Sequence, residues 1–218
     1  MKKSLLRLFT TVLLGLPSVL CAQRTISDAK VEYKIEVPPE HLQMDAMFAN
    51  STFTQYIRGD DSRIDMIFNV VNYTYFLNRK SQTMITLLDN HGDKYMIRSD
   101  KAAYEKETRN YESIKFTDQK EVKEIQGYKC RKAIGKMPDG TTFEVYYTPE
   151  LVPENRLYNR RFMNLSGIPL EFEIIAGAGS KMKVTATKVD LSPVPASVFD
   201  IPKGYKEITQ DELQKIRG

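Results

Sequence analysis

The fold is decided by residues 51–98, which read STFTQYIR (51–58), GDDS (59–62), RIDMIFNVV (63–71), NYTYFL (72–77), NRKS (78–81), QTMITLL (82–88), DNHGD (89–93) and KYMIR (94–98). In 63–71 the apolar side chains Ile64, Met66, Phe68 and Val70 fall on every second residue, the period of a strand with one buried face. Polar turn segments recur roughly every 8–12 residues, the spacing of antiparallel hairpins. Parallel crossovers would need a dozen or more connecting residues.

The same period extends outward from this meander. VEYKIEV at 31–37 places Val31, Tyr33, Ile35 and Val37 on one face and Glu32, Lys34 and Glu36 on the other. Pro38 and Pro39 end that strand. EHLQMDAMFA at 40–49 predicts a short amphipathic helix through Leu42, Met44 and Met47. KAAYEKETRNYE at 101–112 is polar and reads as a helix or a solvated loop, and 114–116 and 122–125 read as short strands. MPDG at 137–140 is a hairpin turn between strands at 128–136 and 141–148. In the second arm Phe143, Val145 and Tyr147 share a face. Alternation lapses over 149–167, where a helical turn is expected around 155–164. Leu170, Phe172 and Ile174 then alternate with Glu171 and Glu173, which places both acids on a solvated face. After GAG at 177–179, Met182, Val184 and Ala186 alternate with Lys181, Lys183 and Thr185. Residues 190–202 are proline-rich and irregular, and TQDE at 209–212 has the pattern of a helix-start capping box.

These segments predict a mainly β (α+β) chain with one domain over 23–218. Its expected form is a strongly curved antiparallel sheet or incomplete barrel of about ten strands with two or three covering helices. A long flat sheet would leave edges and an apolar face uncovered.

Residues 1–22 read as a secretory signal peptide. Lys2, Lys3 and Arg7 form its positive start, and LFTTVLLGL at 8–16 is an apolar stretch too short to span a bilayer. Cleavage after Ala22 is expected, and with it a periplasmic location. The alternative is a lipid anchor on Cys21, against which the bulky Leu20 counts. No later stretch approaches ~20 apolar residues, so the remainder is expected to be peripheral to a membrane at most.

Charge excludes one class of partner. The chain holds 32 Lys+Arg against 28 Asp+Glu, but three of those cations lie in the leader, which contains no acid. Near-neutrality over the remainder argues against a nucleic-acid binder, which needs a dense cationic face.

Motifs for chemistry are sparse. There is no nucleophile elbow, zinc-protease helix or dinucleotide fingerprint. Two cysteines cannot make a four-cysteine zinc site, and His41 and His91 leave little for histidine-based metal chemistry. DNHGD at 89–93 lacks the spaced acids of a calcium loop and reads as a turn. GAGSK at 177–181 lacks the glycine spacing and following helix of a phosphate loop. Cys130 stands between Lys129 and Arg131, but on a strand those cations point to the other face, so it reads as a small buried apolar side chain. No catalytic residue, metal or cofactor is assigned, and a non-enzymatic protein is expected.

Four segments occur in a familiar order: GYKCRKA at 127–133, FEVYYTP at 143–149, GIPLEF at 167–172 and VFDIPKGY at 198–205. They resemble secreted Gram-negative domains of unknown function similar to the GLPGLI family, and the last resembles proteins of the LolA/LolB lipoprotein-carrier superfamily. GIPL departs from the family motif where that has a second glycine. The resemblance implies a curved, incompletely closed sheet whose helices cover an apolar concavity that accepts acyl chains. It implies architectural roles for Gly127 and Gly204 in turns, Pro202 at a strand end and Tyr205 at a packed corner.

The function expected from sequence is therefore that of a periplasmic binding or carrier protein for a lipid or acylated ligand. Ile64, Met66, Phe68, Phe143, Val145, Tyr147, Leu170, Phe172 and Ile174 are its candidate cavity residues. The alternative is an envelope protein–protein interaction module with a filled core, binding its partner through a sheet edge.

Overall fold

The computed structural model describes residues 23–37, 48, 50–69, 71–175 and 181–217. The expected leader, the GAG turn at 177–179 and all of the expected helix at 40–49 except Phe48 lie outside them.

Alternation has the predicted consequence. Strands β1 (Arg24–Ile26), β2 (Asp28–Glu36), β3 (Thr52–Arg58), β4 (Asp61–Ile67), β5 (Asn72–Asn78), β6 (Thr83–Asn90) and β7 (Asp93–Ser99) precede helix α1 (Lys101–Glu112). Then come β8 (Lys115–Ile125), β9 (Tyr128–Lys136), β10 (Thr142–Thr148), β11 (Leu151–Pro153), β12 (Ile168–Ile175), β13 (Lys181–Asp190), β14 (Lys206–Glu207) and helix α2 (Gln210–Arg217). Twelve strands form one sheet in the order β14-β7-β6-β5-β4-β3-β2-β13-β12-β10-β9-β8. Every pairing in it is antiparallel except β14 on β7. Among the described residues the sheet does not close into a barrel. β1 and β11 form a separate parallel ribbon. The strands beyond the ten or so expected are chiefly β1, β11 and β14, which have two or three residues each and are too short for a period of two to register.

Turn chemistry matches the backbone. His91 and Gly92 both have positive φ, 51° and 97°, in the two-residue β6–β7 connection, the geometry that suits the twist of a tight hairpin. The β3–β4 turn is shorter than predicted, because Asp61 and Ser62 already pair with Arg58 and Ile57. The strands expected at 114–116 and 122–125 are one strand, β8, with an irregular register between Asp118 and Val122. β8 is an edge strand whose intervening residues are exposed, so no apolar alternation marks its continuity.

The two faces of the sheet are covered differently. On the inner face the largest core cluster joins β2, β3, β8, β9, β10, β12 and β13. Alternation lapses at 149–167 because that chain crosses this face in two 3-10 turns, Arg156–Tyr158 and Arg160–Phe162. The side chains of Asn155 and Asn159 cap them by accepting from the amides of Leu157 and Arg161. α1 begins at Asp100, whose carboxylate accepts from the amide of Ala103 at 2.8 Å, and it packs Tyr104 on Leu77 and Met84. On the outer face Phe76, Leu87 and Met96 are covered by Ile201 and Tyr205 of the C-terminal segment. Tyr205 thus caps the flank of the sheet, and Pro202 lies in irregular chain rather than at a strand end. The chain then pairs along β7 as β14. It starts α2 with the expected capping box, in which Thr209 and Glu212 exchange amide hydrogen bonds at 2.7 and 3.2 Å. Leu213 of α2 packs on Leu88 and Ile97, back on the inner face.

Gly167, in the GIPLEF segment, is dictated by a close approach. A Cβ there would run into the backbone carbonyl of Thr148, where β10 pairs with β12. Gly167→Ala is expected to cost about 1–3 kcal/mol, seen as a lower urea midpoint at unchanged slope. Unaltered stability would show that the two backbones separate freely.

Candidate functional site

The inner face is filled over one half and hollow over the other. The filled half is a set of edge-to-face rings centred on Phe162, which lies 4.9 Å from Phe172 and 6.4 Å from Phe143. Tyr33 and Phe53 continue the set, 5.6 Å from Phe172 in each case. Such pairs contribute about 0.5–1.5 kcal/mol each beyond the area they bury.

The hollow half is a cavity of about 560 Å³. Phe53 of β3, Ile64 and Met66 of β4, Tyr73, Tyr75 and Leu77 of β5, Met84 and Thr86 of β6 and Ile97 of β7 line one side. Phe172 and Ile174 of β12 line it from seven strand positions beyond β7. Glu107 and Tyr111 of α1, Asn159, Arg160, Arg161 and Phe162 of the 3-10 segment, and Gln210 and Leu213 of α2 complete the wall.

Of the sequence-named residues, Ile64, Met66, Phe172 and Ile174 line this cavity. Phe143, Val145, Tyr147 and Leu170 do not. They lie in the filled core, each no more than 3 % exposed, because Phe162 and its flanking turns occupy the space over β10 and the start of β12. Phe68 packs edge-to-face on Phe48 at 5.3 Å and is not among the lining residues. The β5, β6 and β7 lining residues were within reach of the parity argument that picked out Ile64 and Met66. Arg160 and Arg161 had no periodic signal, since their segment is neither strand nor α-helix.

Polar groups hold the covering segment in place. Gln55, inward-facing and 2 % exposed, donates to the carbonyl of Arg63 at 3.2 Å and of Tyr158 at 3.4 Å, and accepts from Asn159 at 3.3 Å. The hydroxyl of Ser62 also donates to the carbonyl of Tyr158. Arg160 pairs with Glu107 at 3.1 Å, reaches Met84 Sδ at 3.0 Å and lies 5.5 Å from the Tyr111 ring. Arg161 lies 4.0 Å over the Phe143 ring and donates to the carbonyl of Glu173 at 2.8 Å. Burial pulls its guanidinium down to about 10.

The outer face at the opposite end carries charge. Glu171 is only 9 % exposed, not the solvated acid its alternation predicts, because Lys123 of the bulged β8 reaches it at 2.6 Å. Tyr146 lies beneath, its ring 3.7 Å from the same ammonium and its hydroxyl donating to Glu121. Glu173 is held by Lys181 at 2.9 Å.

No family model matches the chain, and no curated protein matches it. Solved structures do. PNGF-II is 14 % identical with a TM-score of 0.50 over 87 % of this chain, which spans about a third (33 %) of the length of PNGF-II. An uncharacterized conserved protein from Thermus thermophilus is 7 % identical, also with a TM-score of 0.50, over 84 % of this chain and 91 % of its own. MucB has a TM-score of 0.43 at 10 % identity, over 81 % of this chain and 58 % of its own. At 14 % and 7 % identity the likeness to PNGF-II and to the Thermus protein is one of fold alone.

Cys130 is fully buried, and burial pushes its thiol up to about 12. Burial also raises the phenols of Tyr33, Tyr104, Tyr147 and Tyr158. Below their ordinary values of 9.0 for the thiol and 10.0 for the phenols, these groups are protonated in both the folded and the unfolded chain. As pH rises through that range only the unfolded chain ionises, so stability falls. Protein beginning at Gln23 is expected to lose urea stability steadily above about pH 9, and its Cys130 to resist iodoacetamide at pH 8 until the chain unfolds. Rapid labelling of the folded protein would contradict the burial.

Proposed function

We propose that this chain is a non-enzymatic periplasmic binding or carrier protein whose half-barrel sheet holds a lipid or acylated ligand. The observation that carries the reading is the apolar cavity of about 560 Å³ on the inner face. Its size lies within the range of about 300–1,000 Å³ usual for small-molecule sites, and a few polar groups break an apolar wall in the manner of such sites. Met66 and Met84 supply adaptable side chains suited to a flexible chain. The sheet curls enough for β7 and β12 to share one cavity, a geometry consistent with the incomplete barrel that the motif resemblance implies. The signal-like leader supports export.

Partner binding through a sheet edge fits less well. β8 is the long edge, but its bulge and its Lys120, Glu121, Lys123 and Glu124 are devices that blunt edge pairing.

The test is occlusion. Wild-type protein is expected to give saturable fluorescence with the neutral probe N-phenyl-1-naphthylamine. Met66→Trp, which fills the cavity from β4, is expected to weaken it roughly tenfold, the size of a lost apolar contact set of about 1.4 kcal/mol, with an unchanged thermal midpoint. Equal probe binding by a folded Met66→Trp variant would remove the cavity as the site.

A further inference from the structure

We propose that the ligand is a single-chain amphiphile with an anionic head, its tail on the apolar face of the sheet and its head on Arg161, with Arg160 alongside. The inference rests on the cavity being a ligand chamber and assigns the chemistry of its occupant. Both arginines line the cavity, adjacent in a 3-10 turn whose backbone Asn159 caps by accepting from the amide of Arg161. Their charges are balanced differently. Arg160 has Glu107 at 3.1 Å. Arg161 has no carboxylate within ion-pair distance among the described residues. The carboxylate of Glu173 binds Lys181 and the amide of Glu144, while Arg161 meets the backbone carbonyl of that residue and the faces of Phe143 and Phe162. Nε of Arg161 and Nη1 of Arg160 are buried without a hydrogen-bond partner. A buried cation without a counter-ion is costly, and a group that supplies one relieves the cost on entry.

Chemistry selects the head. Guanidinium donors match the paired oxygens of a carboxylate or phosphate, whereas a neutral alcohol cannot neutralise the charge and a cationic head would be repelled. The volume is that of a site for one small ligand, which favours one chain over a two-chain lipid.

The experiment is displacement of N-phenyl-1-naphthylamine from wild-type protein by laurate, dodecyl phosphate, dodecanol and acetate, repeated with Arg161→Met and Arg161→Lys. Laurate and dodecyl phosphate are expected to bind at least roughly tenfold more tightly than dodecanol, the scale of one charge-assisted hydrogen bond. Arg161→Met is expected to abolish that preference, with the thermal midpoint of the variant reporting its fold, and Arg161→Lys to keep part of it. The wild-type comparison stands even if a variant does not fold. Laurate and dodecanol binding alike would overturn the headgroup assignment and leave the chamber in place. Acetate binding as tightly as laurate would make this a small-anion site and overturn the amphiphile. Failure of the probe and of every alkyl compound to bind would remove the chamber itself.

Discussion

The architecture turns on the burial of Phe162. This ring, 1 % exposed, arrives on a short irregular segment and lies over the paired strands β10 and β12, where Phe143 and Phe172 meet it edge to face. Full burial of such a side chain contributes about 1.5–3 kcal/mol, and it fixes where the segment crosses the sheet. Gln55 and Ser62 then tie the backbone of the preceding turn to β3 and β4. With Phe162 seated, its neighbours Arg160 and Arg161 line the adjoining hollow. The residue that fills one half of the inner face therefore also builds a wall of the other.

The two ends of the sheet are finished by opposite means. Toward β7, the C-terminal segment wraps the edge, with Ile201 and Tyr205 on the outer face and Leu213 on the inner. Toward β8, a bulged and charged strand folds Lys123 onto Glu171 and Tyr146 instead of being covered. An open sheet of this length needs both edges managed, and only the first is closed by apolar burial.

How far this could be read from sequence follows the range of the interactions. Period two located the meander and placed Ile64, Met66, Phe172 and Ile174 on the cavity side, because a strand residue's face is set by parity alone. The same parity named Phe143, Val145 and Leu170, which face inward but lie in the filled half. What separates filled from hollow is Phe162, a tertiary contact made from a segment without period. The capping box at Thr209 was legible because it closes within four residues. The continuity of β8 was not, since an exposed edge strand needs no alternation. Gln55 stood out in principle as a polar residue at an inward position between Phe53 and Ile57, but its partners lie about a hundred residues away, at Tyr158 and Asn159.

On the function proposed above, the hollow beside Arg161, a guanidinium with no paired carboxylate among the described residues, is filled where amphiphiles are present. The direct measurement is native mass spectrometry with solvent extraction on protein exported to, and purified from, a Gram-negative periplasm. The account expects a stoichiometric adduct that extracts as a single-chain acid. A clean apo mass that does not shift when laurate is added would contradict it.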